Sequence, residues 1–170
     1  SFEQVAHRVT CLQDPTLLGI PFHMLRVDIA GNISKRFSLS GIEIPRYGGA
    51  CPRWNIYSAF TTPGKIHAAV SKMSNGEKYV CIARTVEKGV GRYGKSKSML
   101  SIGLGCEAKY SKDFVYTENL NVNDKKIEMP IGVSCRTCDR LDCSQRAFPP
   151  LHKKFDVDIN SRGVSVYVTE

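Results

Sequence analysis

The apolar positions of this chain change period along its length, and the changes mark out its elements. Phe2, Val5, Val9 and Leu12 recur at helical spacing, behind a Ser1-x-x-Gln4 capping box and ahead of Asp14-Pro15, which predicts a helix over residues 2–12. Its apolar stripe reads as a core-facing surface, with a dimer-facing surface as the second reading. From residue 22 the period drops to two. Residues 22–29 alternate, Gly31-Asn32 turns, and residues 33–39 alternate again, the pattern of a β-hairpin. Its polar positions Arg26, Lys35 and Arg36 are expected on one solvated face.

Residues 40–53 break the alternation with Gly41, Pro45, Gly48, Gly49 and Pro52, so this is a loop whose backbone can approach a ligand closely, and it carries Cys51. Trp54, Tyr57 and Phe60 return to helical spacing until Thr62-Pro63-Gly64 ends the run. Residues 65–73, 79–86 and 99–104 are rich in β-formers, with Ser74-Asn75-Gly76 turning between the first two. They predict a central antiparallel sheet. Residues 88–95 read as an exposed connection, residues 103–112 as a strand end leading into a helical turn, and residues 113–129 as short strand and turn material. Residues 155–167 alternate weakly and are expected to close the sheet or to extend over a partner. The class is α+β, an antiparallel sheet with flanking helices.

Composition adds bounds. With 170 residues, 42% of them hydrophobic, the chain buries a core without staples. No stretch approaches the ~20 apolar residues of a membrane span, and Ser1-Phe2-Glu3 lacks a secretory pattern, so a soluble, cytoplasmic protein is expected, with no membrane partner. The missing initiator Met points to processing or, the favoured reading, to a piece of a longer chain. Twenty-four Lys and Arg against sixteen acids give +8, a field that attracts polyanions, but no helix-turn-helix pair is present to read DNA. His7, His23, His67 and His152 stand in no Ser/His/Asp or Cys/His pattern, and the carboxylates form no paired-acid motif. No enzyme is expected.

The chemistry lies in the cysteines. Three of the seven form Cys135-x-x-Cys138-x-x-x-x-Cys143, in a loop bounded by Pro130, Gly132 and Pro149-Pro150. Such spacing lets three thiolates converge on a metal, and tetrahedral zinc and a four-iron cluster each want a fourth ligand. Cys51, in the other Gly/Pro-rich loop and beside Trp54, is the choice. Cys11, Cys81 and Cys106 read as packing. Arg53, Arg136, Arg140 and Arg146 flank the candidates and are expected to offset thiolate charge through N–H···S contacts. The same arginines would also lower the pKa of a reactive thiol, giving a redox switch without metal. Spacing leaves zinc and cluster open.

The run from Gly132 through Cys135-Arg136-Thr137-Cys138-Asp139-Arg140-Leu141-Asp142-Cys143 to Pro149-Pro150-Leu151 resembles the C-terminal domain of bacterial short-chain fatty-acyl transcriptional regulators, a group that includes propionate- and acetate-responsive members. Two other stretches are similar to the same family: the hairpin from Leu25 to Phe37, and Gly48-Gly49-Ala50-Cys51-Pro52-Arg53-Trp54 through Phe60, Pro63 and Gly64. Together they span residues 25–151. The resemblance implies an effector domain that senses short-chain acyl-CoA, such as propionyl-CoA or acetyl-CoA, and carries a 4Fe-4S cluster on Cys51, Cys135, Cys138 and Cys143. It further implies a homodimer that reaches DNA through an N-terminal helix-turn-helix domain outside this segment. The fold implied is GAF/PAS-like, with residues 1–130 as the sensing domain and residues 131–170 as the cysteine-rich loop and a tail packed on it. In that reading Phe22, Tyr47 and Trp54 line the ligand pocket, and Arg26, Arg36, Arg46, Arg53 and Lys65 meet CoA phosphates. The alternatives are the same domain with a structural zinc site, or a redox-sensing thiol switch that binds no acyl-CoA.

Overall fold

The computed structural model describes residues 1–12, 14, 16, 19–89, 93–94, 97–152 and 160. The weakly alternating segment 155–167, apart from Asn160, and residues 90–92 and 95 of the 88–95 connection lie outside the described residues.

Helix α1 (Phe2–Cys11) starts as its sequence predicts. The Ser1 hydroxyl accepts from the Gln4 N–H at 3.4 Å, and the Gln4 side chain accepts from the Ser1 amino group at 2.7 Å. The buried face is not the predicted stripe. Glu3, Ala6 and Thr10 are buried, with Phe2 and Val9 packing at the margin, while Val5 and Leu12 point outward. The helix is turned by Glu3, whose carboxylate meets Arg26 at 2.8 Å and Lys88 at 2.5 Å. Burial opposes its charge, but those two cations hold the carboxyl below its ordinary range. Glu3→Ala would leave Arg26 and Lys88 without their carboxylate. The expected cost is about 1–2 kcal/mol, read as a lowered urea midpoint. An unchanged midpoint would show that the ion pairs do not anchor the helix.

Strands β1 (His23–Asp28), β2 (Ile33–Ser38), β3 (His67–Lys72), β4 (Lys78–Lys88), β5 (Ser98–Glu107) and β6 (Glu128–Pro130) form one sheet in the order β2-β1-β5-β4-β3-β6. All pairings are antiparallel except β3 with β6. β6 pairs with β3 and is held by Glu128, which salt-bridges Lys72 of β3 at 3.1 Å and also Lys78 of β4, one strand further in. The hairpin register splits the predicted polar face. Arg26 pairs with Lys35, but Leu25 pairs with Arg36, so Arg36 projects on the opposite side from the other two.

Each face of the sheet carries a core. One packs α1 and Phe114 over Met24, Val80, Ile82, Ile102, Leu104 and Cys106. The other is shallow at its centre, where Gly103 and Gly105 leave a trough. Helix α2 (Asn55–Ser58) settles into it, with Ile56 so close that a Cβ on Gly103 would lie 3.0 Å from its Cδ1. Trp54, Tyr79, Cys81, Ala50, Cys51 and Ile131 complete this second core. The cysteine-rich loop is therefore attached to the trough face, through Ile131 and Val133. Cys81 and Cys106 are buried, in line with the packing reading; Cys11 is exposed at the end of α1, so it does not pack.

Candidate metal centre and the adjoining cavity

The trough face brings two distant loops together. The Cys51 N–H donates to the Val133 carbonyl at 3.1 Å, and the backbone N–H groups of Gly132 and Arg53 are directed at its sulfur. Cys138 lies against the same glycine: a Cβ on Gly132 would sit 2.7 Å from Cys138 Sγ. Gly132 is therefore the close-approach residue that lets Cys51 and Cys138 share one space. Burial pushes the Cys51 thiol up; its two backbone donors work against that, and the nearby sulfurs of Cys135 and Cys138 add to it.

The rest of the loop is wound around one arginine. Arg146 is buried, and its guanidinium donates to the carbonyls of Cys135 at 2.8 Å, Cys138 at 3.3 Å and Arg140, while its own N–H donates to the Cys143 carbonyl at 3.1 Å. The next residue, Ala147, donates its N–H to Cys135 Sγ at 3.4 Å. Cys51, Cys138 and Cys143 are buried, and Cys135 is half-buried. Among the described residues, no three His, Cys, Asp or Glu side chains close on one point tightly enough to hold a metal ion as they stand.

The flanking arginines act differently from expectation. Arg146 organises backbone carbonyls, Arg140 donates to the Lys72 carbonyl at 3.4 Å, Arg53 contacts Met129 Sδ at 3.6 Å, and Arg136 lies over the Phe148 ring at 5.1 Å. Backbone N–H groups are what approach the sulfurs of Cys51 and Cys135. A carbonyl-rich loop without regular structure has many acceptors to satisfy, and a guanidinium with five donors serves several at once. Arg146→Ala is expected to unwind residues 135–146, seen as loss of amide-exchange protection at Cys138 and Cys143. Protection equal to the parent chain would contradict that role.

Beside the cysteines lies a cavity of about 690 Å³. Its walls are the β1–β2 turn around Gly31, the Gly-rich loop from Tyr47 to Ala50, and the cysteine loop at Cys135, Arg136, Ala147 and Phe148. Tyr57 ties the first two walls, accepting from the Ala50 N–H at 3.0 Å and donating to the Gly31 carbonyl at 3.4 Å. Gly49 runs so close to the turn that a Cβ there would lie 3.2 Å from the Gly31 oxygen.

The eight predicted ligand-binding residues are not gathered in one place. Tyr47 lines the cavity. Trp54 is buried beneath α2 beside His23, and Phe22 packs on Phe114 across the sheet, so a single pocket does not contain the three aromatics. Arg26 is on the α1 face with Glu3. Arg36 donates to the Pro45 carbonyl at 2.7 Å and shares a shallow groove with Arg46. Arg53 lies near Met129, and Lys65 is exposed after α2. Tyr57, Arg136 and Phe148 line the cavity without having been singled out as ligand residues. The Gly31-Asn32 turn and Gly48-Gly49 were the signals available for it.

Residues 11–167 match the family described as short-chain fatty acyl coenzyme A regulator, C-terminal. The chain belongs to this family. It is 43% identical over 172 residues to the HTH-type transcriptional regulator RamB of Mycobacterium tuberculosis, covering all of this chain and 36% of the relative. It is 44% identical over 167 residues to a propionyl-CoA carboxylase regulator of Cereibacter sphaeroides, covering 98% of this chain and 36% of that protein. Its fold matches a solved Mycobacterium tuberculosis transcriptional regulator with a TM-score of 0.87 and 38% identity, over 96% of this chain and 50% of the other. The chain thus spans about a third of the length of these curated relatives. Family members of this kind are transcriptional regulators, not enzymes. Among the described residues no helix is long and apolar enough to cross a membrane.

Proposed function

We propose that this chain is the effector domain of a transcriptional regulator, that it binds short-chain acyl-CoA, and that it carries a 4Fe-4S cluster on Cys51, Cys135, Cys138 and Cys143. The observation that carries the cluster reading is the meeting at Gly132 of Cys51 and Cys138, which are 87 residues apart in the sequence. The donor set fits such a group: four sulfurs on loops, three of them buried, with N–H groups of Gly132 and Ala147 directed at two. A bound cluster would supply a rigid cross-link between the loops. Around it, Arg146 holds the loop carbonyls, and Trp54 and Ile131 pack beneath Cys51 in the same core.

The acyl-CoA reading is supported by family membership and by the size and apolar walls of the cavity. DNA would be reached through a helix-turn-helix domain outside this segment, with a homodimer as the working unit. The central antiparallel sheet covered on both faces supports a GAF/PAS-like scaffold over residues 1–130, to which residues 131–170 add the cysteine loop and tail.

Anaerobic purification followed by iron and sulfide analysis tests the centre. A brown protein with about four irons per chain is expected. A colourless protein with one zinc would replace the cluster by a zinc clip, and a metal-free protein with reversible thiol oxidation would favour the switch. Calorimetric titration with propionyl-CoA tests the ligand; no heat at millimolar concentration would refute it.

A further inference from the structure

The cavity and the cysteine centre share a wall. Cys135 and Arg136 line the cavity on one side, Ala147 and Phe148 follow, and Ala50 and Pro52, which flank Cys51, line it on another. Cys135 is also the one candidate ligand that is not buried, and the Ala147 N–H that meets its sulfur belongs to a residue of the cavity wall. Whatever fills the cavity therefore lies against the backbone on both sides of the centre and over its exposed edge.

We propose that this cavity takes the acyl group and pantetheine arm of the acyl thioester, and that the occupant shields Cys135, so that ligand and metal stabilise each other. The inference rests on the acyl-CoA and metal-centre readings above and adds the ligand's place and its consequence. Several features select that occupant. The walls are largely apolar, formed by Ile29, Ala30, Pro52, Phe148 and the glycine backbones, which suits an uncharged chain. At about 690 Å³ the space exceeds the need of a two- or three-carbon acyl group and accommodates the arm that carries it. Arg136 is exposed at the wall, its guanidinium stacked on Phe148, and so offers a cation where the chain leaves toward the phosphates. Tyr57 already bonds the hairpin turn to the Gly-rich loop, so an occupant meets walls that are largely set.

Mutual stabilisation follows by linkage. If the occupant contacts the loop only in its metal-bound arrangement, it slows metal loss, and metal strengthens ligand binding by the same factor. No redox step is involved; the effect is one of access and loop order.

The test uses the metal-bound chain as isolated. Amide exchange with saturating propionyl-CoA is expected to gain protection at residues 29–32, 47–50 and 134–136, with no change around the 3-10 turns at Ala108–Asp113 and Val115–Thr117. Release of metal to a chelator should slow about fivefold with the ligand present. Ala30→Trp places a ring in the cavity from a turn position away from the sulfurs, and should weaken propionyl-CoA binding about tenfold while leaving metal content unchanged. Arg136→Ala, a surface change that removes only the cation, should weaken it by a smaller factor. Protection mapping elsewhere, together with parental affinity in Ala30→Trp, would overturn the cavity assignment and leave acyl-CoA binding standing. Ligand binding at the cavity with unchanged metal release would overturn the coupling. Absence of any binding by the parent chain would overturn both the inference and the reading beneath it.

Discussion

Cys138→Ser is expected to abolish metal binding at the proposed centre and to lower the stability of the metal-bound chain by roughly 3 kcal/mol or more, because a structural metal's binding free energy is also folding free energy. Cys138 is buried, its sulfur is fitted against Gly132, and its carbonyl is one of those gathered by Arg146. The hydroxyl of serine is a poor ligand for iron or zinc and leaves a polar group in a space shaped for sulfur. Gly132→Ala should act almost as strongly while keeping every thiol. Its Cβ would lie 2.7 Å from Cys138 Sγ and 3.2 Å from Cys138 Cβ, so sulfur or loop must move. Cys11→Ser, at an exposed thiol away from both loops, is expected to change stability by less than about 0.5 kcal/mol and metal content not at all. Metal analysis and urea unfolding on the three variants decide the matter. Full metal content in Cys138→Ser would remove Cys138 from the ligand set. Parental behaviour of Gly132→Ala would mean that the two loops do not depend on close approach there.

Local order was the most legible part of this chain. The capping box at Ser1 and Gln4, the hairpin about Gly31, the turn at Gly76 and the short helix after Trp54 all stand where period and punctuation put them, because each is fixed by interactions within a few residues. What failed to show was whatever depends on a partner from elsewhere. The rotation of α1 is set by Arg26 and Lys88, which reach Glu3 only after the sheet has formed. β6 is three residues ending in a proline, and its strand character comes from pairing with β3 and from Lys72 and Lys78 on β3 and β4. The cysteine spacing was visible, and the structure places Cys51 with Cys138 at one glycine. The arginines beside the cysteines were legible as residues but not as roles, since carbonyls compete with sulfur for their donors and side-chain direction is not written in spacing. The cavity was the least legible, because a space between three loops has no period.

The second large effect is acid destabilisation through His23, a residue that no sequence pattern singled out. The sheet register puts His23 and Cys81 on either side of Gly105, in one row across β1, β5 and β4. With no Cβ between them, the imidazole and the thiol close over the glycine; a Cβ there would lie 2.6 Å from His23 Nε2 and 2.7 Å from Cys81 Sγ. His23 Nδ1 meets Ser40 Oγ at 2.8 Å, and Nε2 lies 3.5 Å from Cys81 Sγ. Burial pushes the thiol up to about 12, so it keeps its proton and can direct it to Nε2, leaving Nδ1–H to donate to Ser40. Burial also holds the imidazole neutral, with a pKa of about 3 against an ordinary 6.5. Below 6.5 the unfolded chain therefore binds a proton that the folded chain refuses. The stabilisation from neutral His23 is complete above that value and is lost as pH falls from about 6.5 toward about 3. Between pH 7 and pH 5 the loss is roughly 2 kcal/mol. Glu3 and Glu128 are held below the ordinary carboxylate range, and both are present in each chain, so their contribution to the acid loss cancels in a comparison with a His23 variant. His23→Gln keeps a polar group for Ser40 but cannot titrate. It should be less stable at pH 7, having lost the ring contacts with Tyr79 and Trp54, and its stability should fall less between pH 7 and pH 5 by that same amount. Comparing the two chains at each pH cancels any contribution from acid-labile metal ligation. Parallel pH profiles for the two would show that His23 takes up its proton in the folded state, which this row of the sheet has no room or partner to allow.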